Sequence, residues 1–447
     1  MSAFDRYFDL KARGTTAATE LRGAVATFLT MAYILVANAG ILAAAGVPRE
    51  SVIACTALAA GICCVLMGLI ANFPLALASG MGLNAVLAFE VVKVAGSWQT
   101  AMGLVVLDGI VVLALVICGL REAVMESIPR DLRLATGAGI GFFIAFIGAV
   151  NARMVIVPGG TVAVLSGNPD AVLPPVTYGS LSNPDTAIAV LGLLVTAFLM
   201  ARRVKGAIVL GILISTVAAL IVGVAKIPET ISAPSFEVLF QADVTNALRG
   251  VFGGNLLPLL FAFLMVDFFD TLGTATAVAE QAGLRDEKGK ILGLRRILLV
   301  DSASASIGGF CGVSSVTSYI ESAAGVAEGA RTGLHTVIVG VFFLLAVFLA
   351  PVAAIVPFAA TAPALILVGF LMCAQIVKID FKKLDTAIPA FVTLVTLPIT
   401  YSICHGIGYG FITYTAIKVL SLKFREVHPL MYGIAAAFAA YFIWGAA

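Results

Sequence analysis

A chain of 447 residues with 61% hydrophobic and only 12% charged residues is too apolar for a water-soluble domain, where about a quarter of residues carry charge. Its mean hydropathy is +1.08, and at about 20 residues per span the length allows roughly 12 to 14 bilayer crossings. The net charge of +2 is spread over short clusters such as Arg202–Arg203–Lys205, Arg295–Arg296 and Lys382–Lys383, which points to membrane loops and away from a nucleic-acid partner.

Residues 1–20 are polar and lack a signal-peptide core, so the first apolar run is read as a retained helix. Lys11, Arg13 and Arg22 around its start place the N-terminus in the cytoplasm. Apolar runs follow at about 21–46, 51–71, 75–94, 100–120, 131–156, 184–201 and 206–226. A more polar connector occupies 227–250, with Pro228 and Pro234. Further runs lie at about 251–280, 291–311, 314–327, 332–356, 360–379, 386–422 and 429–446. The 386–422 stretch exceeds one span, contains HGIGYG, and is either a broken helix or two elements.

Seven runs on each side of the connector give two halves, 21–226 and 251–447, of opposite topology. That is the inverted-repeat plan of many secondary transporters. A local echo supports it: DTAIAVLGLLVT begins at Asp185 and DTAIPAFVTLVT at Asp385. Segments three and ten are interrupted in matching positions. The third holds Gly80, Gly82 and Asn84 within ASGMGLNAV; the tenth holds GGFCGVSSVTSYIES. Broken helices in corresponding places mark a midplane site, since freed backbone groups find no partner in lipid. A helix starting near Ser315–Thr317 would aim N–H groups into that cavity.

Two acids at bilayer depth, Asp270 and Glu321, lead the candidate site, because such a charge costs about 2.5–3.5 kcal/mol on insertion scales. Glu321 also fits a capping box with Ser318. Asp267 shares a helix face with Asp270, and Thr271 extends the polar stripe. Asp301, in LLVDSASASIGG, suits a structural pairing or a proton relay equally. Thr30 either lines the site or bonds its own helix, Tyr33 reads as an ordinary interfacial phenol, and the glycines of GMGLN also fit close helix packing. The seven cysteines contain no C-x-x-C and read as buried free thiols, the three histidines offer no metal spacing, and His405 beside a glycine-rich break is read as structural. With no nucleophile–base pair, metal cluster or nucleotide loop, the chemistry is binding and proton exchange without enzymatic catalysis or a cofactor.

These motifs resemble the nucleobase–cation symporter-2 superfamily of xanthine and uracil permeases, and its AzgA-like branch of adenine, guanine and hypoxanthine permeases. The resemblance runs in order through Ala26–Leu35, Asn72–Ala88, Asp267–Thr274, Ala282–Asp286, Thr317–Thr332 and Ala360–Met372. It implies an all-α membrane protein of fourteen segments in two inverted repeats of seven. Segments 1–4 and 8–11 would form a core domain, segments 5–7 and 12–14 a gate domain, and segments three and ten would each carry a short extended piece crossing at the site. Carried over by motif, the segment-eight acid is Asp270, the segment-ten acid Glu321 and the first-segment hydroxyl Thr30. Where the family has proline before GMGLN this chain has Ser79, expected to loosen the turn.

The combined expectation is a proton-coupled purine importer of the bacterial inner membrane, with a homodimer as a possible assembly. Glu321 serves as main ligand contact and Asp270 as proton-coupling acid, with Gly82, Asn84, Ser315 and Thr317 beside the base. The competing reading is a sulfate- or bicarbonate-type anion carrier of the same fold, or a xanthine or uracil permease.

Overall fold

The computed structural model describes residues 7–119, 127–157, 176–226, 233–286 and 290–444. The first six residues of the N-terminal segment and 227–232 of the connector, with Pro228, lie outside them. Eight helices among the described residues are long and apolar enough to cross a membrane, and shorter apolar helices accompany them.

The first half runs α1 (Ala17–Met31), α2 (Ile34–Ala43), α3 (Arg49–Leu66), β1 (Leu77–Ser79), α4 (Met81–Val86), α5 (Val92–Ala95), α6 (Trp98–Ile117) and α7 (Arg130–Asn151). A two-residue ribbon, β2 (Val155–Ile156) with β3 (Thr177–Tyr178), precedes α8 (Pro184–Ala201) and α9 (Ala207–Val222). The short amphipathic α10 (Val244–Phe252) lies in the connector. The second half follows with α11 (Leu257–Ala282), α12 (Leu294–Phe310), β4 (Val316–Ser318), α13 (Ser322–Ala327), α14 (Gly333–Ala346), α15 (Ala350–Ala353), α16 (Phe358–Cys373), α17 (Leu384–Ile399), α18 (Ile403–Leu420) and α19 (Pro429–Trp444).

The 386–422 stretch is thus two helices, α17 and α18, joined at Thr400–Ser402, where Tyr401 has φ +54°. Pro398 and the left-handed Tyr401 end α17, and the Ser402 hydroxyl caps α18 by accepting from His405 N. The run read as one long stretch is therefore two helices, and α19 follows them.

Helices α1–α6 and α11–α14 pack chiefly among themselves, as do α7–α9 and α16–α18. Equivalent pairs recur in both halves. In the first group α3 packs antiparallel on α14, and α12 does the same on α6; in the second, α8 crosses α16 as α17 crosses α7. The echo residues Asp185 and Asp385 open the equivalent helices α8 and α17. Outward-facing Leu194, Phe198, Ile221 and Phe370 suit contact with lipid tails.

At the centre of the second group α7 and α16 meet back to back at Gly141 and Gly369. A Cβ at Gly141 would stand 2.6 Å from the Gly369 carbonyl oxygen, and one at Gly369 would stand 2.4 Å from that of Gly141. Two backbones approach this closely only without side chains between them. Gly369→Ala should therefore lower the melting temperature of the detergent-purified protein, by the equivalent of about 1–3 kcal/mol of overpacking. An unchanged melting curve would contradict this crossing.

Candidate functional site

The site is built on the two interrupted segments. Strands β1 and β4 pair antiparallel, with Leu77 opposite Ser318, Ala78 opposite Thr317 and Ser79 opposite Val316. Beyond the ladder, Gly80 N donates to Ser315 O at 2.9 Å and Tyr319 N to Ala76 O at 2.9 Å. All six strand residues are buried. Each half thus supplies the backbone partners that the other lacks.

This pairing corrects the expected helix start near Ser315–Thr317: those residues belong to the extended piece, and α13 begins at Ser322. Ser314, with φ +68°, turns the chain into the strand, and the ladder takes the groups a helix would have used. Ser79 also differs from the expectation of a loosened turn. Its hydroxyl lies 2.9 Å from Asn84 Oδ1 and against the Val313 carbonyl, tying the turn to the start of the helix.

Glu321 is the N-cap residue of α13, yet its side chain makes no cap bond and Ser318 Oγ has no hydrogen-bond partner. The capping box is therefore not formed. Instead the buried phenol of Tyr33, between α1 and α2, donates to Glu321 Oε1 at 2.8 Å. Asp270, on α11, lies within electrostatic reach of Glu321 and Asp301, and Tyr33 feels both Glu321 and Asp270. Both acids are only partly buried, and Gly273, three residues after Asp270 on the same helical face, borders open space. The two leading acids thus share one neighbourhood beside the strand crossing.

Behind them runs a hydroxyl chain. Thr271 Oγ1 lies 2.6 Å from Asp301 Oδ2 and 3.2 Å from Thr317 Oγ1, so a fully buried carboxylate is connected to strand β4. The Thr317 methyl would be 2.7 Å from a Cβ at Gly80, which fixes the strands' spacing. Asn84 Nδ2 and Ser315 Oγ, both buried, have no hydrogen-bond partner, the condition of groups reserved for a ligand or water. Gly82 sits against Ile140 of α7, where a Cβ would lie 2.9 Å from the Ile140 methyl, so its role here is close packing. Asp267 is fully buried on α11, one turn before Asp270.

Thr30 falls outside the constellation: its hydroxyl bonds the carbonyls of Ala26 and Thr27 at 3.0 and 2.8 Å, spending it on its own helix. Tyr33, dismissed in the sequence as an interfacial phenol, holds the place instead; its only signal was a hydroxyl-bearing aromatic within a span that also breaks near Ala32. His405 stacks on Phe442 and bonds Ser402, a structural role. Cys118 is exposed, unlike the buried thiol expected there. Among the described residues no His, Cys, Asp or Glu cluster suits a metal ion.

A family model described as "Permease family", that of the xanthine and uracil permeases, matches residues 19–408. The chain belongs to this family of permeases. It is 42% identical to the guanine/hypoxanthine permease PbuG of Bacillus subtilis (strain 168), covering 98% of this chain and 99% of that protein. It is 38% identical to the adenine permease AdeP of Escherichia coli (strain K12), covering 97% and 94%. Among solved structures, the transmembrane domain of the cyanobacterial bicarbonate transporter BicA superposes with TM-score 0.62 at 16% identity, covering 88% of this chain and 97% of that one. The murine anion transporter Slc26a9 in its inward-facing state gives 0.64 at 10% identity, covering 91% and 68%. These establish the fold for this permease; the family is one of membrane transporters and not of enzymes.

Because the Tyr33 bond ends on a carboxylate, its loss should matter as the Thr30 hydroxyl should not. Hydrogen bonds to charged groups contribute about 1.5–3 kcal/mol. Tyr33→Phe should raise the half-saturation constant for uptake about tenfold or more, whereas Thr30→Val should stay within about twofold of the native value. The reverse order in an uptake assay would remove Tyr33 from the site.

Proposed function

We propose that this permease imports purine nucleobases by alternating access, driven by protons. The observation carrying this reading is the Glu321 carboxylate, held by Tyr33 beside Asp270 at the crossing of β1 and β4. A carboxylate in a low-dielectric chamber selects a flat base with ring N–H donors, because an analogue lacking them leaves the charge unpaired. The unpartnered Asn84 Nδ2 is a donor for a ring nitrogen or exocyclic oxygen, and Ser315 and Thr317 offer hydroxyls nearby. The names of relatives, guanine/hypoxanthine and adenine permeases at 38–42% identity over nearly the whole chain, support a purine. The anion-carrier reading shares only the fold, and two carboxylates at the site would repel an anion.

In this mechanism Glu321 accepts from the base, and Asp270 takes up the coupling proton. Asp301, reached through Thr271, is a relay position behind it. Neutralising one acid lets the loaded group α1–α6 with α11–α14, the core, move against α7–α9 with α16–α18, the gate. One proton crossing about 100 mV supplies about 2.3 kcal/mol, enough for roughly 50-fold accumulation. This reading puts the protein in the bacterial inner membrane with its N-terminus cytoplasmic, from the basic residues Lys11, Arg13 and Arg22 around the start of the first span, and a homodimer is compatible with it.

Competition of adenine, guanine, hypoxanthine, xanthine, uracil and sulfate against labelled hypoxanthine tests the substrate class. Purines should compete; sulfate uptake without hypoxanthine uptake would reverse the reading. Glu321→Gln should abolish high-affinity binding. Asp270→Asn should keep exchange of internal for external base while losing uphill accumulation, and accumulation retained in that variant would refute its role as coupling acid.

A further inference from the structure

A further acid lies where the two helix groups meet. Glu90 lies on a π turn, Leu87–Val91, that continues α4, and is 9% exposed. Its Oε2 accepts from Ser402 Oγ at 3.1 Å and from Cys404 N at 3.4 Å, and its Oε1 accepts from Ile403 N. A carboxylate on the interrupted third segment thus receives the first-turn N–H groups of α18, a helix of the other group, where the dipole favours negative charge.

The second half carries a counterpart. Glu328, directly after α13 of the interrupted tenth segment, pairs with Lys205, which precedes the Gly206 that opens α9. Helices α9 and α18 are equivalent, each the last of its gate trio. Seven segments separate Glu90 from Glu328, so the inverted-repeat plan would put the two contacts at opposite membrane faces; both are engaged in this structure. By contrast, Glu20 accepts from the N–H groups of Arg331, Thr332 and His335 at the start of α14, within its own group. That contact would ride along with the core.

We propose that Glu90 and Glu328 are paired docking residues that fasten core to gate at opposite faces, and that the transport cycle releases them in turn. This rests on the alternating-access reading above. The two differ in strength. Glu90 is buried with three donors, whereas Lys205 and Glu328 have side chains 60% and 28% exposed, where an ion pair contributes little. Lys205, through its hydrogen bond and charge, holds the Glu328 carboxyl below the usual carboxylate range. The face closed by Glu90 is therefore the harder one to open, and the resting protein is biased toward opening at the Glu328 face.

Gly273→Cys, in a full-length protein carrying Cys118→Ser, puts a thiol in the open space beside Asp270. Its reaction with a membrane-impermeant thiol reagent is followed from each face, in intact cells and in inverted vesicles. Glu90→Gln, which keeps the shape but loses an acceptor, should speed labelling from its own face about tenfold. Glu328→Gln should speed it from the opposite face by a smaller factor. Ser402→Ala should shift the balance in the direction of Glu90→Gln, and it carries the test if Glu90→Gln does not fold. Acceleration from both faces alike, or an unchanged balance, would overturn the proposal. Opposite biases without protection by hypoxanthine would leave the docking pair standing and sink the purine assignment.

Discussion

Two short stretches of non-helical backbone sit where there is no water to receive them, and everything else follows from how they are satisfied. In lipid each unpaired N–H or carbonyl costs several kcal/mol. Here the third segment finds its partner in the tenth, over Leu77–Ser79 and Val316–Ser318. Because one strand comes from each half, neither half can complete the site alone. The flanking polar residues belong to the same arrangement: Ser79 grips Asn84, Thr317 reaches Thr271, and Tyr319 Oη donates to the Ser79 carbonyl. The strand crossing joins the two halves of the chain.

Charge is placed around that joint by the same logic. A carboxylate at this depth costs about 2.5–3.5 kcal/mol on insertion scales, and a hydrogen bond to it returns about 1.5–3 kcal/mol. One bond from Tyr33 therefore offsets much of the cost at Glu321 without removing its capacity for a ligand. Glu90 represents the opposite case, with three donors and no demand for more. In the proposed mechanism, the number of bonds each acid already has separates the carboxylate assigned to the ligand from the one assigned to docking.

Much of this was legible in the chain. Composition and run length give the membrane class, the glycine- and hydroxyl-rich interruptions mark segments three and ten, and the echo at Asp185 and Asp385 falls on equivalent helix starts. Asp270 and Glu321 stand out because a charge within an apolar run is costly wherever it points. What stayed hidden depends on partners far away in sequence. Tyr33 becomes informative only through Glu321, 288 residues on, and Glu90 only through Ile403, 313 residues on. Thr30 was ambiguous because a hydroxyl within a span satisfies its own helix as readily as a ligand. The strand over 316–318 looked like a helix start because local propensity carries no record of the β1 edge waiting for it.

The central claim is that a base docks against Glu321 at the crossing of the two strands. A structure of the protein with hypoxanthine bound tests it most directly. The account predicts the ring beside β1 and β4, with a ring N–H within about 3 Å of a Glu321 carboxylate oxygen and Asp270 on the same chamber wall. A base bound elsewhere, with Glu321 still engaged only by Tyr33, would contradict it.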